Sequence, residues 1–261
     1  MPKTALITGA ALGIGFELSL LLAKDSYDLI LVDINATKLE IAKNHLQNNY
    51  TSNITTLVKD LSMPNAAIEI FDNIKNDQID ILINNAGFGL YGAFSNTNWQ
   101  RESEMLYLHT HTITHLTKLV LQGMLDRNNG MVLNLSSLAA FQPGPFMAIY
   151  YASKAFILSF SEAIANELKG TGVTITALCP GQTRTSFQKV VSATSFENKI
   201  NFNIASPKVV AKYGYKAMLK GKTVAVPGKR NKLLMVMSRL MPRDMVTSIV
   251  RKLQKLNRAS A

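Results

Sequence analysis

Tyr150 and Lys154 stand four residues apart in the run YYASK, so on a helix both side chains project from one face. A phenol with a pKa of about 10 is a poor proton carrier at neutral pH, and an ammonium beside it stabilises the phenolate and draws that pKa down. Such a pair can pass a proton to or from a bound molecule. The same spacing also arises on any amphipathic helix, so by itself it leaves a packing role open. Tyr151 is the rival tyrosine, three residues from Lys154.

A second chemical signal lies near the start, in TALITGAALGIGFELSLLLAK. Gly9, Gly13 and Gly15 follow an apolar run and open a helical pattern, with Ala11, Leu12 and Ile14 between them. Glycine there lets the backbone turn tightly and approach a pyrophosphate, whose charge is favoured by free N–H groups at a helix start. Glycine-rich turns also serve packing, but a second apolar run ends in Asp33, about 20 residues further on, where a carboxylate accepts hydrogen bonds from an adenosine ribose. Loop and carboxylate together point to nucleotide binding.

The elements that must hold these groups alternate. Apolar runs at 4–8, 28–33, 55–58, 80–84, 131–136, 173–179 and 223–226 read as seven strands. Helix-period segments lie between them: FELSLLLAK, ATKLEIAKNHLQ, NAAIEIFDNIK, a long one from Trp99 to Leu125, and YYASKAFILSFSEAIANELKG with Gly170 as its stop. This predicts an α/β fold, a doubly wound parallel sheet covered by helices on both faces. We expect one catalytic domain over 1–230, including a substrate loop at about 186–206, and a basic amphipathic extension over 231–261.

The Gly-x-x-x-Gly-x-Gly spacing of residues 9–15, NNAG at 84–87, the serine pair at 136–137, YYASK at 150–154 and PGQTRT at 180–185 occur in one order along the chain. In that order and spacing the sequence resembles the classical short-chain dehydrogenase/reductase family over nearly its whole length. The resemblance implies a Rossmann-type sheet and an oxidoreductase that moves a hydride between a nicotinamide cofactor and a secondary alcohol or ketone. It implies Tyr150 as general acid/base, Ser137 holding the substrate oxygen from thirteen residues upstream, and Lys154 lowering the tyrosine pKa and binding the nicotinamide ribose. It also implies cofactor contacts from Asp60 and Leu61 near the adenine, from Asn85, Ala86 and Gly87, from Pro180 and Gly181, and from Thr185 near the carboxamide. A homodimer or homotetramer packed through the two long central helices is implied as well. NAD(H) is the expected cofactor and NADP(H) the less favoured one, because Asp33 repels a 2′-phosphate and Leu12 and Ile34 supply no cation.

Three of the four histidines fall in MLYLHTHTITHL, residues 105–116. On the family's pattern His109 stands where an asparagine helps complete a proton relay, and this is the clearest departure from that pattern. His111 and His115 are four apart, but two ligands are too few for a metal site, and none is expected. Threonines at 110, 112 and 114 lower helix propensity and suit a helix distorted at the active site.

At 261 residues, 47% hydrophobic and 17% charged, the chain can bury a large core. Glu17 and the three glycines argue against reading the start as a signal peptide, and the single Cys179 fits a reducing, cytoplasmic compartment and a core position. The net charge of +11 is local: residues 208–261 hold 14 of the 28 Lys and Arg but one of the 17 Asp and Glu. No interleaved aromatics or nucleic-acid motif accompany it, so nucleic acid is not an expected partner. NKLLMVMSRLMPRDMVTSIVRKLQKL instead alternates apolar and basic residues at helical spacing around Pro242, which predicts two short helices able to meet a membrane surface or to pack on the protein. On that basis Leu233, Leu234, Val236, Met237 and Leu240 form one apolar face, and Met245, Ile249, Val250 and Leu253 the next. The reading that competes with an enzyme is a catalytically impaired nucleotide-binding protein that uses this tail for contact.

Overall fold

The computed structural model describes residues 3–75, 77–184 and 204–258. Its strands are β1 (Thr4–Thr8), β2 (Asp28–Asp33), β3 (Ile54–Val58), β4 (Ile79–Asn84), β5 (Gly130–Leu135), β6 (Val173–Leu178) and β7 (Val224–Ala225). They form one parallel sheet in the order β3-β2-β1-β4-β5-β6-β7. Each apolar run is continuous because both faces are covered. Ala5, Ile7, Leu31 and Ile83 enter one core layer with Leu18 and Leu22 of α1 (Gly13–Lys24) and Val210 and Met218 of α7 (Pro207–Leu219). Leu6, Val32, Leu82 and Val132 turn to the other, against Ile70 and Ile74 of α3 (Ala66–Ile74) and Leu116, Val120 and Met124 of α5 (Ile113–Asp126).

The remaining helices are α2 (Ala36–Asn49), α4 (Trp99–Leu106), α6 (Ala148–Glu167), α8 (Lys229–Leu240) and α9 (Arg243–Arg258). Asn35, Asn98 and Ser206 cap α2, α4 and α7 by accepting from the backbone N–H of Lys38, Arg101 and Val209. Strand order reverses between β1 and β4, which opens a crevice at the carboxyl ends of the strands.

Most element bounds differ from the sequence reading by a residue or two. Helix α1 begins at Gly13, inside the glycine loop, three residues earlier than the segment FELSLLLAK. β5 starts one residue earlier, at Gly130. Helix α6 ends at Glu167, and Gly170, at φ +89°, lies in the turn beyond it. The expected helix from Trp99 is broken by a π-helical turn, Tyr107–Thr112, between α4 and α5. Threonine hydroxyls explain the break: Thr110 Oγ1 donates to Leu106 O and Thr114 Oγ1 to Thr110 O, both at 2.6 Å, while Thr112 Oγ1 is drawn off to Leu61 O at 2.8 Å. Such back-bonding competes for the carbonyls of the regular helix, and the expected distortion therefore falls at His109.

The tail forms the two expected helices, α8 and α9, on either side of Pro242. Its faces are arranged differently. Val246 and Val250 turn inward and are buried, whereas Met245, Ile249, Leu253 and Leu256 stay exposed. The proposed substrate loop at about 186–206 lies almost wholly outside the described residues, as does Thr185.

Candidate active site

The crevice encloses about 630 Å³ and is lined by the residues that end β1, β2, β4, β5 and β6. At its floor Gly9 adopts φ +63°, and a Cβ there would come within 2.8 Å of Asn85 Nδ2 and 2.9 Å of Ala86 Cα. Leu12 precedes α1 without a side-chain cap, so the first N–H groups of that helix are open to an anion. Asp33 is held beside them: one carboxylate oxygen accepts from Ala11 N and the other from Asn35 N, each at 3.0 Å. An uncapped helix start, a glycine cradle that tolerates no Cβ and a fixed carboxylate fit a dinucleotide.

Most of the expected cofactor residues line this crevice: Gly9, Ala11, Leu12, Gly13, Ile14, Asp33, Asp60, Leu61, Asn85, Ala86, Gly87, Pro180 and Gly181. Gly15 does not. It is buried behind the loop, where a Cβ would lie 2.2 Å from Gly9 O, so its role is close packing. The Asn85 carboxamide also faces the protein, donating to Thr8 O at 3.0 Å and Gly9 O at 2.9 Å, and so clamps the loop to β4.

At the far end of the crevice Ser137, Tyr150 and Lys154 come together. Ser137 caps the 3-10 turn Leu138–Phe141, its Oγ accepting from Ala139 N at 3.1 Å, and its side chain is hydrogen-bonded to that of Tyr150. Lys154, only 3% exposed, donates from Nζ to Leu135 O at 2.9 Å and lies 5.9 Å from the Tyr150 ring centroid. Burial pushes the Tyr150 phenol up to about 12, and the hydrogen bond from Ser137 offsets only part of that. Burial likewise lowers Lys154 to about 7. The expected depression of the tyrosine pKa is therefore not present in the bare crevice. Desolvation outweighs an ammonium that is itself held partly neutral, and an added positive charge is needed to reverse the balance.

His109 lies outside the crevice lining, fully buried behind Gly87. Its Nδ1 is 2.9 Å from Ser153 Oγ, and Ser153 spends its one hydroxyl proton on Tyr150 O at 2.8 Å. Nδ1 must therefore carry the imidazole proton, which leaves Nε2 as a bare acceptor. Among the described residues Nε2 has no hydrogen-bond partner, and it and Lys154 Nζ lie 2.6 and 3.5 Å from the point a Gly87 Cβ would occupy. Burial first, and Lys154 second, hold the imidazole pKa well below its usual value, so the ring is neutral. His111 and His115 have ring centroids 5.9 Å apart, and no group of three or more metal-ligating side chains occurs among the described residues.

The sequence reading missed several neighbours of the site. Asn84 Nδ2 donates to Thr117 Oγ1 and to Asn134 Oδ1, and Asn134 Nδ2 donates to Ser161 Oγ, so a buried polar chain ties β4, β5, α5 and α6 together under the crevice. Lys38 and Lys59 line the end near Asp33, with Lys59 paired to Glu69. Phe88, Leu138, Met147 and Tyr151 form an apolar wall, and Gln254 of α9 closes it by donating to the Tyr151 hydroxyl at 2.8 Å. No local pattern could have found Gln254, 103 residues from its partner. Cys179 is a core thiol as expected, its pKa pushed up to about 12 by burial.

A doubly wound sheet with a nucleotide cradle at one end of its crevice and a serine, a tyrosine and a lysine at the other defines a class of nucleotide-dependent oxidoreductases. The comparisons narrow it: the short chain dehydrogenase family model matches residues 3–196, and the chain belongs to that family. It is an oxidoreductase acting on CH–OH groups. A ketoacyl reductase, HetN, from Nostoc sp. is 32% identical over 244 residues, covering 92% of this chain and 83% of the relative. A very-long-chain 3-oxoacyl-CoA reductase from Phaeosphaeria nodorum is 32% identical over 192 residues, and the match spans 71% of this chain but 56% of that longer protein. Among solved structures, a short-chain dehydrogenase from Sphingobium yanoikuyae in complex with NADPH superposes with a TM-score of 0.82 at 25% identity, covering 99% of this chain and 98% of that one.

Proposed function

We propose that the chain reduces ketones, or oxidises the matching secondary alcohols, on bulky apolar substrates such as acyl chains, with NAD(H) preferred. The observation that carries this reading is the gathering of Ser137, Tyr150 and Lys154 at one end of the crevice, with Lys154 Nζ 5.9 Å from the tyrosine ring centroid. Ser137 Oγ and the Tyr150 hydroxyl can bracket one substrate oxygen, and Tyr150 gives or takes its proton there. When bound, the nicotinamide supplies or accepts the hydride. Lys154 and the cationic ring stabilise the phenolate, and Phe88, Leu138, Met147 and Tyr151 exclude water from the substrate side. Gly9, the start of α1, Asp33 and Gly87 hold the dinucleotide.

Asp33 supports NAD(H), since a 2′-phosphate would meet its charge. The substrate class rests on the apolar wall and on relatives named for ketoacyl and very-long-chain 3-oxoacyl reduction. Outward-facing Phe156, stacked on Phe160 along α6, supports a homodimer or homotetramer through the central helices, which a sizing measurement checks. Turnover is tested by NADH oxidation with a series of aryl ketones and 3-oxoacyl thioesters. Saturable activity that lengthens with the acyl chain is expected. Tight NADH binding without turnover of any of them would favour the impaired nucleotide-binding reading instead.

A further inference from the structure

Among the described residues the exposed large apolar side chains concentrate on the last two helices. Leu233, Val236, Met237 and Leu240 face outward on α8, with Leu240 80% exposed, and Met245, Ile249, Leu253 and Leu256 do so on α9. The inward side of the same helices is a separate set: Asn231 donates to Pro227 O, Met235 packs on the core, Val246 and Val250 are buried, and Gln254 reaches Tyr151. The outer residues are therefore not the helices' means of attachment. On α9 they recur at positions 245, 249, 253 and 256, one stripe of a helix whose charged flank lies to the side. Exposed cations rim the stripe: Lys229, Arg230 and Lys232 at the start of α8, Arg243 at the turn and Lys252 on α9, while Arg251 and Lys255 of α9 lie over the Phe146 ring, against Asp244 as the one acid in the pair of helices.

We infer that the outer face of α8 and α9 docks the protein onto an anionic lipid surface, the helices lying in the interface with their apolar stripe among the acyl chains. Charge complementarity selects this occupant. A second copy of the chain meeting the same face about a two-fold axis would set these cations against their own symmetry mates, whereas lipid headgroups neutralise them. No helix among the described residues is long and apolar enough to cross a membrane. Helix α9 also walls the crevice through Gln254, so docking brings the crevice mouth to the lipid surface. A substrate with a long apolar chain then enters from the bilayer, a consequence that rests on the proposed function.

The test is co-sedimentation of the full chain with phosphatidylserine-containing and pure phosphatidylcholine vesicles, alongside the double variant Leu240→Glu/Ile249→Glu and the charge variant Arg230→Gln/Lys232→Gln. These positions are exposed and outside the crevice, so NADH binding and turnover of a water-soluble ketone are expected to be unchanged. The wild type is expected to bind the anionic vesicles at low salt and to lose most of that binding at high salt. The double variant should lose about tenfold or more in the bound-to-free ratio, and the charge variant a smaller but measurable part. Absence of binding by the wild type at low salt, equal binding by the double variant, or a dimer that forms without lipid and dissociates in the double variant would each overturn the inference. Capture of an acidic protein by this face with no affinity for vesicles would overturn it too. Vesicle binding requires no catalysis, so failure of the proposed reaction leaves this result readable on its own.

Discussion

His109 Nδ1 lies 2.9 Å from Ser153 Oγ, and Ser153 donates in turn to the carbonyl of Tyr150, so the buried imidazole is oriented by the residue that carries the proposed catalytic phenol. Its other nitrogen is an acceptor aimed past Gly87 toward Lys154. A side-chain carbonyl offers the same acceptor, so His109→Asn is expected to keep kcat/KM within about tenfold, while His109→Leu, which keeps bulk and removes the acceptor, falls further and shifts the pH profile. Nitrogen NMR should show the Nδ1–H tautomer, with no imidazolium at pH 6.5. Imidazolium at that pH, or collapse of activity in His109→Asn with the fold intact, would show that the ring carries a proton of its own.

Cofactor preference should turn on Asp33 with Lys38 as a counterweight, since both line the same end of the crevice. Asp33→Ser removes the repulsion and is expected to improve NADPH binding on the order of tenfold or more. Adding Lys38→Ala should take back much of that gain. Kd values for both cofactors check this, and a wild type that binds NADPH more tightly than NADH refutes it.

Tyr150→Phe deletes the transferable proton and leaves the dinucleotide cradle intact. Turnover should fall by about 10²–10⁴ with the NADH Kd nearly unchanged. Tyr151→Phe loses the bond to Gln254, and a drop of a few-fold, mainly in KM, is expected. The reverse ranking would mean that the wrong tyrosine has been placed at the substrate.

The buried Lys154 has a folded-state pKa of about 7 against an ordinary value of 10.5. Between those values the unfolded chain binds the extra proton, so the stability of the cofactor-free protein rises with pH across that window and is lost again as pH falls toward 7. Tyr150 acts in the opposite sense only above pH 10, where the unfolded phenol ionises first. Lys154→Met should therefore flatten the rise between pH 7 and pH 10 in denaturant titrations, and an unaltered slope would place its source elsewhere.

The seven strands were readable because a strand covered on both faces shows an unbroken apolar run, and the site motifs were readable because they cluster where those runs end. Alternation of Leu6 with Ala5 and Ile7 between two core layers needs no long-range knowledge. What escaped depends on contacts between distant segments. The Asn84–Asn134 bond, the closure of Gln254 on Tyr151 and the approach of Lys59 to Asp33's end of the crevice each join parts of the chain whose local patterns carry no mark of the other. The tail illustrates the limit within a single helix: Val250 and Ile249 are equally apolar neighbours, and only the surface beneath α9 decides that the valine is buried and the isoleucine exposed.

The π turn at Tyr107–Thr112 means that the helix from Trp99 to Asp126 holds one residue more than regular winding has room for. Loss of any single codon in that stretch would not interrupt the helix; it would let the helix close. The turn absorbs the extra residue locally, so the two flanking halves would keep their phase, and only the side chains between the deleted position and the turn would move round by about 100°. Leu116, Val120 and Met124 anchor the later half in the core, so for a deletion before the turn the shift would fall on that intervening stretch and on whichever side chain came to rest behind Gly87. A deletion that is mild as a change in composition would thus act as a local change of phase, exchanging the acceptor behind the crevice for a neighbour while the sheet stayed whole.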